Sequence, residues 1–209
     1  MFDYRYGTSG NDYLRGGNGE DVFFAYDGND TIVDTANSRD YVYAGGGNDW
    51  IFTGAGDDYA YGYSGNDTII GDRGSDYLSG NGGDDLLVGA YFNRSNPGKD
   101  DIDTLSGGSG RDTFVLGERS DVFYDSDTPA WSLGTEDYAL IKDFNPSFDK
   151  IQLHGSNSEY VIGGSGVSGI SGLGIYHVNS GDFELIGILE DVAFSAVSLT
   201  NSSQFTYVS

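Results

Sequence analysis

The sequence predicts an all-β protein in which short strands, joined by glycine-rich turns, stack into a long array closed by a β-rich C-terminal region. Three observations carry this reading. From Gly7 the chain repeats itself every nine residues, and self-similarity at a fixed short period is the mark of a stacked-repeat architecture. Each copy places aspartate at its sixth position and an apolar residue at its eighth. The composition is also lopsided: 34 Gly against 3 Pro, and 33 acidic against 10 basic residues among 209, for a formal net charge of −23.

The copies GTSGNDYLR, GGNGEDVFF and AYDGNDTIV open the series, and a ten-residue unit ending SRDYVY follows. AGGGNDWIF, TGAGDDYAY, GYSGNDTII, GDRGSDYLS and GNGGDDLLV continue it. The stretch GAYFNRSNPGKDDIDTLS spans two repeat lengths, so the register is expected to survive it, with Arg94 and Asn96 filling the slot that fails. GGSGRDTFV and a weak copy, LGERSDVFY, carry the series to Tyr124. The sixth column is Asp12, Asp21, Asp30, Asp40, Asp49, Asp58, Asp67, Asp76, Asp85, Asp103, Asp112 and Asp121. The eighth is Leu14, Phe23, Ile32, Val42, Ile51, Ala60, Ile69, Leu78, Leu87, Leu105, Phe114 and Phe123.

Positions seven to nine of a copy read as a three-residue strand, whose eighth residue points opposite to its neighbours. Stacked copies then make the eighth column a continuous interior. Positions one to six form the turn, where glycine takes positive φ at little steric cost and Asn11, Asn29, Asn48 and Asn66 also tolerate left-handed backbone. Stacking spaces the aspartates roughly 4.8 Å apart. Bare carboxylates at that distance repel by about 1 kcal/mol even in bulk water, so the column calls for cations between its members. Calcium fits, since it takes 6–8 oxygens at about 2.3–2.6 Å, backbone carbonyls included, whereas magnesium prefers a tight octahedron and keeps its waters.

Composition excludes other classes. The negative charge opposes nucleic acid and anionic membrane as partners. A hydrophobic fraction of 37% with 14% aromatics is too high for a solvated acidic tail, and Gly-X-Y spacing is absent. With no cysteine, disulfides and thiolate metal sites are ruled out. Residues 1–7 lack the basic and apolar regions of a removable N-terminal signal, and no run approaches the ~18 apolar residues of a membrane helix. The expectation is either a cytoplasmic chain or one exported by a route that reads another part of it. No metalloprotease helix, nucleophile elbow, phosphate loop or cysteine nucleophile is present, so no catalytic residues are assigned and the chain is read as a non-enzyme.

The copies over residues 7–124 resemble the glycine- and aspartate-rich nonapeptide of RTX proteins, the hemolysin-type calcium-binding repeat. The resemblance implies a right-handed parallel β-roll in which two copies make one coil and same-side turns come from every second copy. It also implies several calcium ions, roughly seven to nine on a count of intact turn pairs, held between stacked turns by oxygen ligands. Carried onto this chain, the ligands are the aspartates Asp12, Asp21, Asp30, Asp40, Asp49, Asp58, Asp67, Asp76, Asp85, Asp103 and Asp112, with the turn backbone. The backbone positions are the first (Gly7, Gly16, Ala25, Ala44, Thr53, Gly62, Gly71, Gly80, Gly107), the third (Ser9, Asn18, Asp27, Gly46, Ala55, Ser64, Arg73, Gly82, Ser109) and the fourth (Gly10, Gly19, Gly28, Gly47, Gly56, Gly65, Gly74, Gly83, Gly110). The best sites join turns 7–12 with 25–30, 16–21 with 35–40, 44–49 with 62–67, 53–58 with 71–76, and 62–67 with 80–85. Ser38 and Arg39 break the pattern in the fourth copy and Arg119 and Ser120 in the last, as does the stretch 92–94.

Beyond Tyr124, DYALIKDF and DKIQLHG, parted by a turn at Asn145-Pro146-Ser147, read as two strands, and GIYHV and FELIGIL, parted by Asn179-Ser180-Gly181-Asp182, as a hairpin. The chain thus divides into a calcium-binding roll over 1–124 and a β cap over 125–209. The cap is similar to the region that follows the repeats in secreted RTX proteins. The uncharged Ser/Thr-rich tail 195–209 looks like the uncleaved signal that family presents to the type I secretion channel. The resemblance thus implies a secreted or cell-surface protein that folds on meeting external calcium. A second reading is a calcium-dependent adhesin or matrix protein that binds polysaccharide or a cell surface, and a third is the tail of a larger protease or lipase.

Several features stay open. Tyr41, Tyr43, Tyr59, Tyr61 and Tyr77 fall on one outward face, Trp50 and Phe52 on the other; they either pair across strands or dock a partner. His154 and His177 have no ligand spacing. Asp100, Asp101 and Asp103 either hold a further ion or solvate a loop, and Asn93-Arg94-Ser95 fits a glycosylation triplet.

Overall fold

A computed structural model of the protein describes residues 2–90, 101–118, 121–122, 137–179 and 182–209. Two long sheets run through it. The first has the order β1 (Asp3–Tyr6), β3 (Asp21–Asp27), β5 (Tyr41–Gly46), β7 (Tyr59–Ser64), β9 (Tyr77–Gly82), β11 (Ile102–Ser109), β15 (Tyr138–Ile141), β19 (Asp182–Glu190), β18 (Gly172–Asn179) and β17 (Tyr160–Gly164). The second has the order β2 (Tyr13–Arg15), β4 (Thr31–Val33), β6 (Trp50–Ala55), β8 (Thr68–Arg73), β10 (Leu86–Ala90), β12 (Thr113–Val115), β16 (Lys150–His154) and β20 (Phe205–Val208). Successive strands alternate between sheets, so strands two copies apart become parallel neighbours. The fold is the parallel β-roll that the nonapeptide predicts, followed by a β-rich C-terminal region.

The parallel register sets like upon like. In the second sheet Ile32 pairs with Ile51, Ile51 with Ile69, Ile69 with Leu87, and Leu87 with Phe114. In the first, Val42 pairs with Ala60 and Ala60 with Leu78. From Phe23 to Phe114 this column is fully buried, and each of its Val, Leu, Ile and Phe side chains contributes about 1.5–3 kcal/mol of burial. Leu14 is half-buried, because it lies near the open first coil. Phe123 lies outside the described residues.

Three expectations need revision. From β5 to β10 the strands are five or six residues long, not three: β7 takes positions seven to nine of one copy and one to three of the next. The chain bends at the second position, where Tyr26, Tyr63, Asp72 and Asn81 have φ between 73° and 89°. The interruption counts as one crossing between sheets, not two, since β10 and β11 are consecutive on opposite sheets. The amides of Asp76 and Asp85 accordingly meet Asp103 and Asp112, each 27 positions on, where the earlier partners in both columns lie 18 or 19 apart. Finally, among the described residues the weak last copy adds no strand to the two long sheets. Asp121 lies in β14 (Asp121–Val122), an antiparallel ribbon with β13 (Gly117–Glu118), and the next strand of the first sheet is β15.

Both expected C-terminal strand pairs form. β15 and β16 extend the two sheets, β18 and β19 form an antiparallel hairpin with a bulge at Ile175/Tyr176, and β20 from the tail pairs in parallel with β16. Ser180 and Gly181 of that hairpin turn lie outside the described residues, as do Arg94, Asn96, Asp100, Arg119, Ser120 and the Asn93 triplet. One core runs from Phe23 through Phe114 and Ile151 to Phe205. No helix among the described residues is long and apolar enough to cross a membrane.

Candidate metal sites

The turns stack into two columns, one along each side of the roll. On one side the amide of Asp12 donates to Oδ1 of Asp30 (2.7 Å), Asp30 to Asp49 (2.7 Å), Asp49 to Asp67 (2.8 Å), Asp67 to Asp85 (2.8 Å) and Asp85 to Asp112 (3.0 Å). On the other, Asp21 donates to Asp40 (2.7 Å), Asp40 to Asp58 (2.7 Å), Asp58 to Asp76 (2.9 Å) and Asp76 to Asp103 (2.8 Å). All five turn pairs drawn from the repeat are among these contacts.

In eight of these aspartates one oxygen is therefore spoken for and the second is not. Oδ2 of Asp30, Asp40, Asp49, Asp58, Asp67, Asp76, Asp85 and Asp112 is buried without a hydrogen-bond donor. An unpartnered buried polar atom costs about 1–3 kcal/mol, more when charged. Burial, opposed by the backbone hydrogen bond, pushes Asp40 up to about 8, Asp58, Asp67 and Asp112 to about 7, and Asp49 to about 6. Asp76 is also raised, by burial and then by the neighbouring charge of Asp103. A row of inward-facing carboxylate oxygens with no donor is the environment a hard cation completes.

The turn backbone fits the same group. A Cβ built on first-position Gly62 would lie 2.1 Å from Oδ2 of Asp67 and 3.0 Å from the carbonyl of Gly80; on Gly71 it would lie 2.0 Å from Oδ2 of Asp76 and 2.7 Å from the carbonyl of Gly89. Carboxylate and carbonyl oxygens thus gather over a bare Cα. Fourth-position glycines pack still closer: a Cβ on Gly65 (φ 119°) would meet the carbonyl of Gly47 at 2.0 Å. Third-position carbonyls such as Ser64 and Gly82 each accept the amide of a fourth-position glycine, from Gly47 (2.8 Å) and Gly65 (2.9 Å), which leaves one lone pair apiece.

The first column is partnered at both ends. Asp12 Oδ2 accepts the amide of Thr8 (2.6 Å) and its hydroxyl (2.9 Å). At the far end Asp112 donates to Oδ1 of Asp149 (3.1 Å), whose Oδ2 accepts the amide of Asn145 (2.7 Å). Asp143 bonds the amides of Gly107 (3.0 Å) and Gly108 (2.9 Å). Neither Asp143 nor Asp149 follows from the glycine motif, although Asp149-Lys150-Ile151 keeps the spacing from sixth to eighth position and could have been found by it. The fifth-position asparagines serve differently from the expectation. None has positive φ; they form a second ladder running the opposite way, with Asn29 donating to Oδ1 of Asn11, Asn48 to Asn29 and Asn66 to Asn48 at 2.7–2.9 Å.

The aromatic residues of the first sheet stack on one another: Tyr41 on Tyr59 at 5.2 Å, Phe24 on Tyr43 at 5.1 Å, and Tyr43 on Tyr61 at 5.5 Å, with ring planes within 10°. Trp50 stacks on Phe52 at 6.2 Å on the second sheet. His177 packs against Tyr160 at 5.3 Å, and the His154 carbonyl accepts the Tyr160 hydroxyl (2.8 Å).

A parallel roll whose turns line up buried, undonated carboxylates defines a calcium-binding repeat protein. The chain matches the family model for the RTX calcium-binding nonapeptide repeat (4 copies) over residues 6–33, 34–69, 61–90 and 97–124, more than half its length, and it belongs to that family. No curated protein sequence matches it significantly. Among solved structures it is similar to the AlgE6R3 subunit of the mannuronan C5-epimerase of Azotobacter vinelandii, at 21% identity over 94% of this chain and 83% of that one, with a TM-score of 0.36. It is also similar to the extracellular lipase LipA of Serratia marcescens, at 14% identity over 97% of this chain but 40% of the lipase, with a TM-score of 0.24.

Proposed function

We propose that this chain is a calcium-driven folding module of a secreted protein. Its residues leave the cell as an unfolded, strongly acidic chain through a type I secretion channel and fold on meeting external calcium. One observation carries the reading: buried aspartates whose second oxygen no donor satisfies. Without cations those carboxylates repel one another and lose their hydration, so the fold is disfavoured at low cytosolic calcium. Outside, weak sites suffice, because extracellular modules bind at about 10⁻⁴–10⁻³ M, and binding free energy becomes folding free energy. The proposed ligands are the sixth-position aspartates with the first-, third- and fourth-position carbonyls of stacked turns, for roughly seven to nine ions. The parallel roll within residues 1–124 binds the ions and residues 125–209 cap it, with the tail as export signal; the role is structural rather than catalytic.

Far-UV circular dichroism of chelator-stripped protein under calcium titration tests this. The expected result is a cooperative gain of β signal near millimolar calcium that magnesium does not reproduce; a chain folded without calcium and indifferent to it sinks the reading. An adhesin that grips polysaccharide or a cell surface through its aromatic faces has less support, because the ladder rings cover one another's faces. Surface binding abolished by replacing Tyr41, Tyr59 and Tyr61 with Ser would revive it.

A further inference from the structure

The fourth turn departs most from the repeat, with Ser38 where the neighbouring turns carry glycine and Arg39 beside it, and the extra residue of the ten-residue unit falls at its head. The structure places the side chain of Asp34, the first residue of that unit, inside the turn stack. Its carboxylate is 1% exposed. Oδ1 accepts the amide of Ala36 (2.6 Å), and Oδ2 is buried with no hydrogen-bond partner. A Cβ on Gly16 would lie 1.6 Å from this Oδ2 and 3.1 Å from Oδ2 of Asp21, so Asp34 occupies space that only a glycine leaves open. Asp21, Asp34 and Asp40, all buried, each direct a carboxylate oxygen to within 4.8 Å of the others, the one such group of three among the described residues. Two oxygens on opposite sides of one calcium stand about 4.8 Å apart, twice a bond of about 2.4 Å, so all three fit on one ion.

Charge supports the same assignment. Asp21 accepts the amide of Gly17 on Oδ2 (2.7 Å) and the guanidinium of Arg5 on Oδ1 (3.1 Å), and Arg5 also binds Asp3 (2.7 Å). Four carboxylates against one guanidinium leave a local charge of 1 − 4 = −3 around the cluster. Asp40 Oδ2 is a second undonated oxygen. In the other stacked pairs the aspartate column supplies two carboxylates; here Asp34 adds a third, and charged-ligand count is one determinant of calcium affinity.

We propose that Asp34 is a direct ligand of a distinct three-carboxylate calcium site, formed with Asp21 and Asp40 between turns 16–21 and 35–40, which holds its ion more tightly than the two-carboxylate turn pairs. This rests on the calcium reading above and goes beyond it, since the nonapeptide motif assigns no role to this position. The test is stopped-flow release of calcium from loaded, folded protein into a fluorescent chelator, with the released ions counted by phase. Wild-type protein is expected to release one ion at least tenfold more slowly than the rest. That phase should vanish in Asp34→Asn and in Asp34→Gly, and persist in Asp191→Asn, which alters an exposed carboxylate in the cap. Uniform release from wild-type protein, or a slow ion retained in both Asp34 variants, overturns the proposal. If neither variant folds in saturating calcium, anomalous diffraction from loaded wild-type crystals decides: a calcium peak within ligand distance of the Asp34 carboxylate upholds it, and its absence refutes it. A chain that binds no calcium at all fails the functional reading instead.

Discussion

Acid should substitute in part for calcium. In the ion-free roll Asp58 titrates at about 7, against about 3.9 for an unperturbed aspartate, because burial disfavours its charged form. The folded ion-free chain therefore binds a proton that the unfolded chain does not. Its stability contribution is fully present below about pH 3.9 and is lost as pH rises through about 7. A shift of about three units is worth on the order of 4 kcal/mol for this fully buried group. Asp40 at about 8 and Asp67 and Asp112 at about 7 act in the same direction. These contributions do not simply add, since Asp58 is itself among the charges that raise Asp40. Even one is a large share of the ~5–15 kcal/mol that stabilises an ordinary domain. The assay is far-UV and near-UV circular dichroism of chelator-stripped protein between pH 8 and pH 5, above its pI of about 4.1, with sedimentation to exclude aggregation. We expect little β signal at pH 8 and a reversible gain on acidification. Ion-free protein that is as disordered at pH 5 as at pH 8, or fully folded at pH 8, refutes the claim that buried undonated carboxylates hold the fold back.

Three further outcomes follow from the geometry. Gly65→Ala should destabilise the loaded roll by about 2–3 kcal/mol, from a φ of 119° and a backbone carbonyl 2.0 Å from the new Cβ. Gly19→Ala, at the same fourth position of its copy but with nothing within 4 Å, should leave the thermal midpoint nearly unchanged. Asp67→Asn keeps the shape of the side chain but removes an anionic oxygen from the gaps on both sides of its turn. Its calcium midpoint in the dichroism titration should rise, with β content restored at saturation. Phe114→Ala should cost about 3–5 kcal/mol; because Phe114 packs on Phe144 at 6.3 Å, near-UV signals of the roll and of the C-terminal strands should be lost in one transition.

How far the sequence could be read depended on whether a feature repeats. The eighth-position side chains and the sixth-position aspartates are legible because each copy must satisfy the same inward-facing slot and the same turn, so the pattern is written many times over. Parity across the interruption was not legible: eighteen residues preserve the nine-residue phase equally well as two copies or as one copy with a nine-residue excursion, and the pairings of Asp76 with Asp103 and of Asp85 with Asp112 separate them. The asparagine ladder was misattributed for a related reason. Tolerance of left-handed backbone and a side-chain acceptor for the next turn's amide both favour Asn at the fifth position, and composition alone does not distinguish them. Asp149 lies beyond the glycine motif, yet it ends the aspartate column because a ladder that donates forward needs a last acceptor, which only the two-residue spacing to Ile151 betrays. Asp34 was the least visible. In a repeat the eye aligns what matches, and the ten-residue unit reads as a defect with one residue too many. That residue carries a carboxylate into space left open by Gly16 two copies earlier, and a contact between one unmatched residue and one ordinary glycine leaves no periodic trace. In repeat proteins of this kind, the copy that breaks the period is therefore where a site with its own chemistry should first be sought.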